Sequence, residues 1–442
     1  MKYALNHIFA ACLLTMPLAA FSQSDLTRMG AVTKALEQNL GIRMARLDVE
    51  RAEVGDAWGA AGALPQIGLN STLAGAVSDQ SENPTSFIQE RLESQSINLG
   101  AQLNWVVFDG FGMFANKRAL ETLVEQADGQ ARLMIEQTVA AVLQAYDAVL
   151  VEERLLSILD GAVEASKARV AWTGSRQDFG AATQFDVLQV ENAYLSDQLS
   201  RAQQALAVDV AKRTLNRLIG ADLTADWTLI STLDVPEPVD FKALEVRVLS
   251  DGTTMQNARI AESLAQIGVD QAQSRLSPTL QLSASQGDQR SQFAAGELSG
   301  DGRVKNLSAN LVLNFNLFNG GATRRAIEQA KIQVMVAEHA AENQRQEVLR
   351  ILGDAQDRWE LAAMTHEFAQ QLSANASRSL EIAEARYRSG AMNALDLREV
   401  QLQSLRAAQQ EFAALQGWLA ADVELDRLAG DRGREQANDT KK

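Results

Sequence analysis

The side chains best placed for chemistry are carboxylates and one phenol, gathered in two short segments. Asp396 and Glu399 stand three positions apart in a proline-free stretch, so on a helix both carboxylates share one face. Two readings are open at this point. The pair forms an acidic patch that attracts cations, or it begins a helix, since Asn393 with Asp396, like Thr183 with Asp186, places a capping residue three before an acid. Tyr387 offers a hydroxyl that a carboxylate could accept, or packs partly buried. None of these is an enzyme's constellation: the chain has no Gly-rich phosphate loop, no Gly-x-Ser-x-Gly turn and no metal-ligand spacing. An enzyme is therefore not expected, and neither is a cofactor.

Composition narrows the classes further. At 442 residues and 46% hydrophobic, the chain has ample material for packed cores. A net charge of -15 disfavours nucleic acid, whose phosphates demand clustered Lys and Arg. The single cysteine, Cys12, falls in an N-terminal segment with the marks of a signal peptide at 1–22: Lys2, a mostly apolar run from Ile8 to Ala20, and small residues at Ala20 and Ser22. Its apolar run continues through Leu13, Leu14 and Met16, which argues against lipidation of Cys12. With that segment removed, no disulfide or thiolate chemistry remains. No later stretch has the ~18 uninterrupted apolar residues of a membrane-spanning helix.

The elements that must position the tip residues come in duplicate. Leu103, Asn104, Phe108 and Gly110 match Leu313, Asn314, Phe318 and Gly320 at an offset of 210, and Gly180, Asp186 and Gly220 match Gly390, Asp396 and Gly430 at the same offset. Pro65 pairs with Pro278 at 213, which puts the length change in the polar loops Ser78–Gln95 and Gly287–Arg303. The expected division is a first repeat at 23–235, a second at 236–430 joined near Pro236 and Pro238, and a polar tail at 431–442.

Proline is absent from Thr85 to Val235 and from Thr279 to the end, so each repeat has room for a helix of ~60 residues, roughly 90 Å long. Seams of three- and four-residue steps run Leu120, Leu123, Ala127, Ala131, Met134, Thr138 and Ile327, Ala330, Val334, Ala337, Ala341, Gln344, the spacing of packed coils. Shorter helical stretches at 26–62, 185–218, 241–276 and 395–428 supply partners. Upstream of each long helix the period changes to two. Ile97, Leu99, Leu103, Trp105 and Val107 alternate with Ser96, Asn98, Gln102 and Asn104, and Leu307, Leu311 and Leu313 alternate with Ser308, Asn310 and Asn314. Weaker strands start at Pro65 and Pro278, giving hairpins at about 65–108 and 278–318, with strands about 9–13 residues long. One face suits lipid and the other water. Four strands cannot close a transmembrane barrel, so other copies of the chain must complete it.

These residues resemble the TolC family of outer-membrane ducts over essentially the whole mature chain. The carrying motifs are Asn-Trp-Val-Val-Phe-Asp-Gly at 104–110 with its duplicate at 314–321, and the tip segments 179–188 and 387–397. The resemblance implies an α+β membrane protein: a homotrimer in which each protomer gives four strands to a 12-stranded barrel, continued by a periplasmic α-helical barrel. It implies an outer-membrane channel for efflux or type I secretion, a passive conduit fed by a periplasmic adaptor and an inner-membrane transporter of RND or ABC type. By the same resemblance Asp396 and Glu399 are gate acids, Tyr387 and Asp186 form a tip latch, and Phe179, Gly180, Ala181, Gly390, Ala391 and Met392 contact the adaptor. The chain departs from the family at Met392, where relatives carry a basic latch residue; Arg386, Arg388 and Arg176 are the substitutes at hand. The competing expectation is a periplasmic coiled-coil scaffold or adaptor without a barrel, which leaves the amphipathic strands without a purpose. The cargo is not written in the sequence.

Overall fold

Glycine, proline and capping residues set the element boundaries in the computed structural model, which describes residues 24–430. The expected signal peptide with Cys12 and the tail at 431–442 lie outside the described residues. The order is β1 (Ser24–Leu26), α1 (Arg28–Gln38), α2 (Leu40–Gly55), β2 (Gln66–Asp79), β3 (Arg91–Phe108), α3 (Gly112–Asp178), α4 (Gln184–Ile219), β4 (Trp227–Leu229), α5 (Phe241–Asp251), α6 (Thr253–Ser274), β5 (Thr279–Ala295), β6 (Leu298–Asn314), α7 (Ala322–Arg388) and α8 (Ala394–Ala429). The two long helices, α3 and α7, have 67 residues each, about 100 Å at 1.5 Å rise.

Two expected continuous helices are broken in the structure. The 26–62 stretch divides at Asn39, whose ψ of 127° is extended; its side chain accepts from the Ile42 amide and donates to the Leu218 carbonyl 2.8 Å away. The 241–276 stretch divides at Gly252, also extended, where a Cβ would sit 2.3 Å from the Val248 carbonyl oxygen. Neither break is at a proline: Asn39 is held by its distant bond to Leu218, and Gly252 by the close approach of its own chain at Val248. The short strands β1 and β4 were also invisible to periodicity. They pair in parallel, and the buried Tyr146 hydroxyl of α3 donates to the Leu26 carbonyl at 2.8 Å while Arg28 forks onto Asp147.

The main sheet has the order β2-β3-β5-β6, antiparallel throughout, with β2 and β6 as its free edges. Its strands, of 14, 18, 17 and 17 residues, exceed the expected length. The segment 287–303, expected as a loop, continues the ladder to Ala295 opposite Leu298, leaving only Gly296 and Glu297 in the turn. Polar strands extend beyond the apolar segment because cross-strand partners such as Asp288 and Arg303 hold them, and backbone pairing needs no apolar face.

Register sorts the sheet by polarity. Leu69, Ala101, Gln286 and Leu307 stand in one row; Leu73, Ile97, Arg290 and Arg303 in another on the same face. Asn70, Gly100, Gly287 and Asn306 form a row on the opposite face, as do Ser283 with Asn104 and Asn310. The apolar face is bare: Leu69 is 86% and Leu307 83% exposed. One departure from strict alternation is a bulge between Val106 and Phe108, which brings Phe108, not Val107, opposite Leu280.

Each repeat carries its own core near the middle of the long helices. Ala31, Val32, Ile42, Val142, Tyr146, Leu215 and Ile219 form the first; Leu244, Val248, Met255, Leu352, Ala355, Leu425 and Ala429 the second. Fully burying such a Leu or Val side chain stabilises by about 1.5–3 kcal/mol. The α7 seam lies on this packed face, with Ile327, Val348 and Ala355 buried. In α3 the expected seam is buried at Ala131 and Thr138 and 40% exposed at Leu123 and Met134, while the deepest stripe, Val139, Val142, Leu143, Tyr146 and Val149, lies where α1, α4 and the β1–β4 pair pack on it. One 18-residue window of α3 reaches a mean hydropathy of 1.2, with 56% of it buried inside the fold, the mark of a core helix.

Candidate functional site

The two tips, where α3 returns as α4 and α7 as α8, carry the expected site residues. Each turn needs a left-handed residue, supplied by Gly180 at φ 70° and Gly390 at φ 79°. The next amide then bonds back into the last helical turn: Ala181 to the Arg176 carbonyl at 2.7 Å, Ala391 to the Arg386 carbonyl at 2.9 Å. Phe179 is 88% exposed, and Gly180, Ala181, Gly390 and Ala391 are exposed beside it. Met392 is half-buried and packs on Tyr387 and Leu397 instead of presenting a polar group.

The duplicated acids differ in what they do. Thr183 and Asp186 form a reciprocal capping box: the Thr183 amide and hydroxyl both donate to Asp186 Oδ2 at 2.8 Å, and the Asp186 amide donates to Thr183 Oγ1 at 3.2 Å. Hydrogen bonds from the Thr183 backbone and then its side chain, with Arg176 nearby, hold the Asp186 carboxyl below its ordinary range. In the second tip only half of the box is made. Asn393 accepts from the Asp396 amide at 2.8 Å, and the exposed Asp396 carboxylate has no hydrogen-bond or ion-pair partner among the described residues. Glu399, also exposed, accepts from Gln403 at 3.4 Å.

Tyr387 is 7% exposed, its ring centroid 5.1 Å from that of Trp172 on α3. Within one chain it does not meet Asp186. Of the substitutes for a basic residue at 392, Arg176 lies over Trp172 and donates to the Ala181 carbonyl, and Arg388 pairs with Glu384 at 3.3 Å. A cleft of about 420 Å³ runs beside these groups, lined by Arg169, Trp172, Glu384, Tyr387, Arg388 and Leu397.

Sequence reading missed the ion pair that joins the two coiled coils just behind the tips. Asp197 of α4, 3% exposed, accepts from Arg398 of α8 at 2.7 and 2.9 Å and from Ser166 of α3 at 2.5 Å. Arg169 faces the same cluster; burial pushes its guanidinium below its ordinary range, opposed by Asp197 and reinforced by Arg398. The repeat equivalents of Asp197 and Arg398 are Ala407 and Leu188, so the duplication gave no sign of it. A charged residue on an otherwise apolar coil face was the available signal.

The family described as Outer membrane efflux protein matches residues 31–221 and 246–431. Among characterised relatives, the alkaline protease secretion protein AprF of Pseudomonas aeruginosa is 23% identical over 337 residues, covering 75% of this chain and 68% of that one. The outer membrane protein TolC of Escherichia coli is 24% identical over 370 residues, covering 79% and 71%. The fold also superposes on the Campylobacter jejuni CmeC outer membrane channel with a TM-score of 0.72 at 16% identity, covering 93% of this chain and 88% of that one. Two matched segments, each containing one hairpin with its coiled coil, span most of the sequence, and the chain belongs to the outer membrane efflux protein family.

Proposed function

We propose that three copies of this chain form an outer-membrane duct: their sheets close a 12-stranded barrel and their long helices extend it as a tunnel through the periplasm. The observation that carries this reading is the four-stranded sheet itself. It has one bare Leu/Ile face, one Asn/Gln/Ser face and two unpaired edges. Unpaired edges in lipid cost several kcal/mol per backbone group, and pairing β6 of one copy with β2 of the next removes them. The helices are unfinished in the same way. Leu188, Leu195, Leu199 and Leu206 on α4 are exposed at steps of seven, four and seven, a coil seam without a partner inside one chain.

The two repeats, 23–235 and 236–430, each give one hairpin and one coiled coil. The duct performs no chemistry; a periplasmic adaptor and an inner-membrane transporter deliver cargo to the tips, with Phe179, Gly180, Ala181, Gly390, Ala391 and Met392 as adaptor contacts. Relatives in sequence are named for protease secretion and for efflux, and the proposed conduit is of the kind both names describe. Asp396 and Glu399 form the entrance ring: threefold symmetry sets six carboxylates around the axis, and the unpaired Asp396 is free for that role. Tyr387 and Asp186 of neighbouring copies form the latch, Asp186 Oδ1 being left over by the capping box.

Reconstitution tests the reading. The purified mature chain is expected to run as a detergent-dependent trimer and to give discrete conductance steps in planar bilayers. A monomer that stays dissolved without amphiphile overturns it in favour of the coiled-coil scaffold.

A further inference from the structure

On the bare face of the sheet the apolar surface reaches farther out on β2 and β3, to Val77 and Ile97, than on β5 and β6, where it stops at Ala284 and Leu307, so its edge slants across the sheet. A diagonal boundary is what strands leaning 35–45° present to a flat membrane. Immediately beyond it, on β5 and β6, three cations are set together. Arg290 stands opposite Arg303 and Asp288 opposite Lys305, in the same rows as Ile97 and Leu99 of β3. All four therefore share the apolar face and not the polar one.

Charge pairing within the cluster is incomplete. Arg303 forks onto Asp288, Nε to Oδ1 at 2.9 Å and a second nitrogen to Oδ2. Arg290 and Lys305 have no hydrogen-bond or ion-pair partner among the described residues. The next acid on this face, Asp301, stands opposite Gln292, one row farther from the apolar band. In a chain of net charge -15, Arg290 and Lys305 on adjacent strands, one row apart and sharing with Arg303 the single carboxylate of Asp288, leave an excess of positive charge bordering Leu307, an anion site with an acyl surface beneath it.

The cluster lies at the strand ends remote from α3 and α7, hence at the external leaflet if the helices are periplasmic. We propose that Arg290 and Lys305, oriented by the Arg303–Asp288 pair, bind a phosphate of the phosphorylated glycolipid of that leaflet, with its acyl chains against Leu307 and Ile97. This rests on the barrel reading above. A phosphate with two negative charges accepts from both side chains at once, which a zwitterionic headgroup cannot match.

Native mass spectrometry of the detergent-solubilised trimer with bisphosphorylated lipid A, its dephosphorylated counterpart and phosphatidylglycerol tests the site. The wild type is expected to bind the bisphosphorylated lipid about tenfold more tightly than either alternative; R290Q/K305Q loses that preference and the charge-conserving R290K/K305R retains most of it. Equal binding of all three lipids by the wild type, or an unchanged preference in R290Q/K305Q, overturns the site. Planar-bilayer conductance separates the two readings. A wild type that conducts without phosphate preference sinks the site alone, whereas one that forms no channel sinks the barrel and the site with it.

Discussion

Arg398 and Asp197 meet at 2.7 Å between α8 and α4, tying the second coiled coil to the first from a residue that stands between the exposed Asp396 and Glu399 in the chain. The pair is nearly buried, its side chains 21% and 5% exposed, and the two cations are not equal partners, since Arg169 also faces Asp197. Removing Arg398 leaves Asp197 with Arg169 and Ser166; removing Asp197 leaves two guanidinium groups facing each other. We therefore expect D197A to destabilise more than R398A, toward the upper end of the about 3–5 kcal/mol seen when a buried pair loses one member. Amide exchange in α4 and α8 of the purified protein measures this; a larger loss in R398A contradicts it.

The capping box gives the first tip a pH dependence. The Asp186 carboxyl titrates below the 3.8 of an unperturbed aspartate, so its contribution to helix order is complete above that value and disappears as pH falls through the depressed one. Exchange protection at the start of α4 is expected to hold at pH 5 and drop below pH 4, with the drop absent in D186N.

Neutralising Asp396 and Glu399 tests the proposed gate. D396N/E399Q is expected to lower the cation-to-anion permeability ratio roughly severalfold in planar bilayers while leaving the trimer intact, because both carboxylates are exposed and Asp396 holds nothing else in place. Unchanged selectivity returns Asp396 to a helix-capping position only.

Tyr387→Phe keeps the ring on Trp172 and removes only the hydroxyl. A latch between neighbouring copies predicts higher conductance of the closed channel; the same conductance as wild type leaves Tyr387 as a packing residue. Trp172→Ala, in contrast, empties the aromatic contact and is expected to lower thermal stability by about 3 kcal/mol or less, since Trp172 is 36% exposed.

Much of this architecture was legible because it is periodic and repeated. The alternation from Ile97 to Trp105, the proline-free run containing α3 and the constant offset from Gly110 to Gly320 are local or self-referential signals, and a chain that stores them twice gives each a check. Capping chemistry is equally local, which is why Thr183 with Asp186 and Asn393 with Asp396 were readable as helix starts. Tertiary structure decided the rest. Whether an acid's carboxylate turns back to its own cap, as in Asp186, or stays free, as in Asp396, depends on side-chain geometry that both sequences permit. The break at Asn39, the strand pair β1–β4, the bulge that turns Phe108 toward Leu280 and the Arg398–Asp197 contact all join residues far apart in the chain. Pattern along a sequence reports which face of an element is apolar; only the packed fold brings one element's charge to another's.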